Sequence, residues 1–142
     1  DSVASRGLGD VYKRQAQEIL EQLLSKSDVK IQQAIKSVAN ISDSDAAAIL
    51  EAMYSSMIAE TTISKELMKS FLLFAQQRTE LTNDTLSYLQ SFSGSQINLG
   101  CISYIADYAD KMSKKVEILE IASQWDKNKS GLQKSIEKLL EK

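Results

Sequence analysis

The sequence predicts an all-α protein: an antiparallel bundle of five or six helices around one long central helix. Three observations predict it. Proline is absent from the 142 residues, so no position is barred from a helix interior by a missing N–H. Apolar residues recur at alternating spacings of four and three through most of the chain. That is the period of a helix with one buried face, and of a coiled-coil seam. Runs of strict apolar–polar alternation are lacking, so there is no strand candidate. Apolar residues at 43% and charged residues at 25% give the balance of a globular chain.

Residues 1–15 differ from all that follows. They hold two of the five glycines and no helical stripe. The run Asp10-Val11-Tyr12-Lys13-Arg14-Gln15 resembles a translated transposon-end adapter of the kind used in sequencing libraries. That resemblance implies a non-native or disordered leader, to be left out of fold reasoning. It also implies a true start further upstream, a bacterial or phage source sampled by environmental sequencing, and a chain that is the C-terminal part of a larger protein. Residues 16–142 then make one helical domain, long enough for a real core.

From Ala16 the stripe Leu20, Leu24, Ile31, Ala34, Val38 and Ile41, broadened by Ile19, Leu23 and Ile35, keeps register across Ser27. The unbroken register favours one helix to Asn40; the competing reading caps a second helix with Ser25 or Ser27 and places Asp28 in its first turn. Asn40 to Ser44 is a break, with Ser42 or Ser44 as cap. A helix to about Glu60 follows, striped by Ala46, Leu50, Met53 and Met57. Ser64 caps the next, Lys65 to Thr79, whose apolar arc runs through Leu67, Met68, Phe71, Leu72, Leu73, Phe74 and Ala75. An arc that wide suggests contact from several sides.

Thr82, Asn83 and Asp84 form a capping cluster for a short helix from Thr85 to about Phe92, and Ser91 to Ser95 reads as a turn around Gly94. The long central helix is expected from Ser95 to Asn128. Its stripe is Cys101, Ile105, Tyr108, Met112, Leu119 and Ala122, with a gap at Lys115 and with Ile102, Ala109 and Val116 on one flank. Asp107 with Lys111, and Asp110 with Lys114, are acid-first pairs four apart on its outer side. Ser130 and Gly131 open a last helix that presents Leu132, Ile136, Leu139 and Leu140 on one side.

Histidine is absent, which removes the commonest general base and metal ligand. Cys101 is the only cysteine, so there is neither an intrachain disulfide nor a zinc site of the usual kind; it reads as a small core residue in a reducing, cytoplasmic setting. The segment Gly94 to Gly100 lacks the Lys-Ser/Thr of a phosphate loop. Asp43 and Asp45 have the spacing that starts a calcium loop, but the required glycine and distal glutamate are missing, and helix capping explains them. Asp107 with Asp110, and Glu117 with Glu120, lie opposite the stripe among lysines and read as solvated surface. Ser91, Ser93 and Ser95 have no base partner. Tyr104, Tyr108 and Trp125 are interleaved with acids rather than with lysine or arginine, so they read as core and not as a base-stacking surface. No catalytic, cofactor-binding or metal-ligating residue is therefore expected.

The net charge of −2 is uneven. Residues 16–110 carry six basic and twelve acidic side chains, net −6; residues 111–142 carry eight and five, net +3. The acidic body argues against nucleic acid. No apolar run is long enough to span a bilayer. The expected function is a non-enzymatic interaction or scaffold module, with a protein partner or self-association. The alternatives are a membrane-surface protein using the basic last helix, and a regulatory domain of an enzyme whose catalytic part lies upstream.

Overall fold

A computed structural model describes residues 3–127 and 131–141, with side chains from Arg14 onward. Among the described residues there are eight α-helices and no strand: α1 (Val3–Leu24), α2 (Asp28–Ser37), α3 (Asp43–Ile58), α4 (Lys65–Gln76), α5 (Thr82–Ser91), α6 (Ile102–Lys111), α7 (Lys115–Trp125) and α8 (Leu132–Leu140). Short 3-10 turns lie between several of them. The expected all-helical class stands. The number of helices and the long central helix do not.

The first helix starts at Val3, not at Ala16. Residues 1 and 2, and the side chains up to Lys13, lie outside the described residues, and most of the expected leader falls among them. The chain then breaks at Lys26, whose φ of 62° is left-handed. Ser27 accepts from the Lys30 N–H and opens α2, so the continuous helix to Asn40 gives way to the capped alternative. Folding back lets α2 pack along α1, which buries Ile31 and Ala34.

Ser42 and Ser64 cap α3 and α4 through the Asp45 and Leu67 N–H groups. The centre of the molecule is α4. It packs against α1, α2, α3, α5 and α6, and Leu67, Met68, Phe71, Leu72, Phe74 and Ala75 are all buried. Its wide apolar arc is thereby covered from several sides. The buried Ser70 hydroxyl donates to Leu23 O at 2.7 Å, tying α4 to α1.

The run from Ser95 to Asn128 is divided. Two 3-10 turns precede α6, and α6 stops at a left-handed Ser113 (φ 56°). There Lys114 N–H donates back to Ala109 O at 2.8 Å. That bond is the closing link of a Schellman motif, which usually has glycine at the left-handed position. The break shifts the buried face of α7 by one residue. Ile118, Ile121, Ala122 and Trp125 are buried; Leu119 is half-buried and Val116 is 75% exposed. The charge pairs move with it. Asp107–Lys111 forms at 3.1 Å, but Lys114 turns to Glu117 (3.3 Å) and Asp110 meets Lys115 (3.4 Å).

The capping expectation for α5 also fails. The helix begins at Thr82 with no side-chain cap at Leu81. Buried Thr82 and Thr85 instead donate to the Thr79 and Leu81 carbonyls.

Candidate functional site

The site is built where α8 crosses α6 and α7. The peptide link into α8 requires Gly131, whose φ is 97°; the expected opener Ser130 lies outside the described residues. The cap comes from further back. Asp126, at the end of α7, accepts the Leu132 N–H at 2.9 Å and the Gln133 N–H at 3.2 Å through its two carboxylate oxygens. A carboxylate there also suits the positive end of the helix dipole. Gln133 Nε2 donates to Leu119 O at 3.0 Å. Leu132 and Ile136 become fully buried, while Leu139 and Leu140 on the next turn stay half-covered.

Leu99 stands across from this second turn. It sits in a 3-10 turn fixed by the Asn98 side chain, which accepts the Gly100 N–H at 2.9 Å, and it is 65% exposed. Between Leu99 and α8 lies an open groove of about 750 Å³, floored by Ile102 and Leu139 and edged by Ser103, Ser135, Lys138 and Glu141. A hollow of about 210 Å³ continues it past Leu139 toward Leu140, Ala106, Asp107 and Asp110. Asp107 and Asp110 are each matched by a lysine of their own chain. The groove is therefore apolar in the middle and close to charge-balanced at its edges.

Of the residues weighed in the sequence, Asp107 and Asp110 fall in this hollow, each paired with a lysine; the others lie elsewhere. Cys101 is buried, its Sγ 3.7 Å from Ile63 O. Asp43 lies at the start of α3 and pairs with Arg78. The Trp125 indole is buried and donates to Leu89 O at 3.0 Å. Tyr104 lies with Lys69 Nζ 6.0 Å from its ring centre. Ser93 caps the 3-10 turn Gly94–Gln96 in a capping box with Gln96, and Ser91 donates to Ser87 O. Glu117 pairs with Lys114, and Glu120 is exposed. Among the described residues no three Cys, Asp or Glu side chains gather as a metal-holding group, and no helix is long and apolar enough to cross a membrane.

Two further polar features escaped the sequence reading. Arg78 is 14% exposed and binds four groups. It donates to Val38 O (3.2 Å), Ile41 O (2.7 Å), Glu80 Oε1 (2.6 Å) and Asp43. This clamps the turn before α3 to the end of α4. Hydrogen bonding to Glu80 raises the Arg78 pKa, and the same bond lowers that of Glu80. The Tyr108 hydroxyl is buried with no hydrogen-bond partner of good geometry among the described residues. Burial pushes its phenol up, and neighbouring Thr85 and Thr82 oppose that in part.

Comparison with protein-family models, with curated proteins and with solved structures finds no significant match to this chain.

Proposed function

We propose that the chain is a non-enzymatic helical interaction module that meets a protein partner through the α6–α8 groove. The observation that carries this reading is Leu99. A leucine 65% exposed at the mouth of an apolar-floored groove is a surface that stands to gain from being covered. The balanced rim, one lysine and one glutamate, complements an amphipathic helical segment that is apolar at its centre and bears charges of both signs at its edges. Such helix-in-groove docking takes its affinity from a few apolar anchors. The acidic body supports a protein rather than a nucleic-acid partner, and the buried cysteine supports a reducing, cytoplasmic setting. The membrane reading draws little support from α8, whose Leu132 and Ile136 are buried against the chain, leaving only the half-covered Leu139 and Leu140 open.

The test is selection of helical peptides from a displayed library against the intact chain. Binding of the selected peptides is then compared for Leu99→Asp and for Val29→Asp, a control at another exposed apolar residue (69%). At least a tenfold loss for Leu99→Asp alone is expected. Equal binding by both variants would place the interaction elsewhere.

A further inference from the structure

No further inference is drawn: the strongest candidate outside the α6–α8 site, the amide-lined hollow of about 250 Å³ beside α1 and α2 edged by Gln15, Gln22, Gln33 and Asn40, carries nothing because no buried charge or unpartnered polar group there shows what it would hold.

Discussion

Tyr108 offers the sharpest test at a single residue. Its hydroxyl is buried and has no well-formed hydrogen bond among the described residues, so removing it should cost little: a buried polar group left unpaired is itself unfavourable by about 1–3 kcal/mol. Tyr108→Phe should be within about 0.5 kcal/mol of the parent or more stable, read by urea unfolding at neutral pH. The pH dependence has a definite sign. The folded-state pKa lies above 10.0 because burial favours the protonated phenol. The stability linked to that shift is therefore complete below pH 10.0 and is lost as pH rises through the raised value. Tyr108→Phe should lessen the alkaline loss; part of it will remain through Tyr88, whose phenol is also raised by burial.

Arg78 and Gly94 are residue-scale features of another kind. Arg78→Met removes hydrogen bonds from a charged donor and strands two carbonyls, and should cost about 1.5–3 kcal/mol. Lysine should rescue it poorly, since one ammonium lacks the planar fork. Glu80 is held below its ordinary 4.5 by this clamp. Its contribution is present above that value and lost as pH falls through the lowered one, so the variant should show a flatter acid limb. At Gly94 a Cβ would stand 2.0 Å from Trp125 O. Gly94→Ala must push backbone from backbone, and a melting temperature equal to that of the parent would contradict the close approach.

At the scale of the element, the starts of α3 and α4 could be read from sequence because serine announces them. Ser42 and Ser64 cap α3 and α4 as their positions predict, and the stripes of α3 and α4 are buried apart from Leu73, which is half-buried. Two helix ends could not be read. Left-handed residues end α1 and α6, and at both sites the chain uses Lys26 or Ser113 where glycine is the usual signal. The four-three register ran on across these breaks, so α1 merged with α2 and α6 with α7. The gap at Lys115 was the one trace of the second break. The groove was hidden for the same reason: it exists only because α8 folds back on α6, through a cap from Asp126 six residues before Leu132.

These breaks give element-scale predictions. Ser113→Gly relieves the positive φ and should not destabilise, with a gain of up to about 1 kcal/mol. A loss comparable with that of a core mutation would mean that α6 continues through Ser113. Ile118→Ala should cost about 2–5 kcal/mol as a fully buried residue, whereas Val116→Ala should lie within about 0.5 kcal/mol of the parent. The reverse order would restore the unbroken register. Asp126→Ala should cost about 0.5–2 kcal/mol, the usual range for a lost helix cap, and should speed amide exchange in α8 more than in α4.

For the whole molecule, α4 is the hub. Helices to either side of it in sequence, α1 and α3 before, α5 and α6 after, pack on it directly, while α8 reaches the body mainly through α6 and α7. This arrangement leaves the hub sealed and puts the uncovered apolar surface at the edge, between α8 and Leu99. Because Leu132 and Ile136 are fully buried within the chain, the apolar surface left beside the net +3 of residues 111–142 is only Leu99 and the half-covered Leu139 and Leu140, too little to hold the chain on a membrane. Anionic vesicles sedimented at physiological salt should leave the protein in the supernatant; pelleting abolished by removal of α8 would favour the membrane reading.

Amide chemical-shift mapping of the isotope-labelled chain, titrated with a library-selected helical peptide, tests the assignment of the groove most directly. Perturbations should concentrate at Leu99, Ile102, Ser103, Ser135 and Leu139, with α2 and the exposed face of α3 unchanged. A peptide that binds while shifting residues on those other faces, and not the groove, would contradict the account.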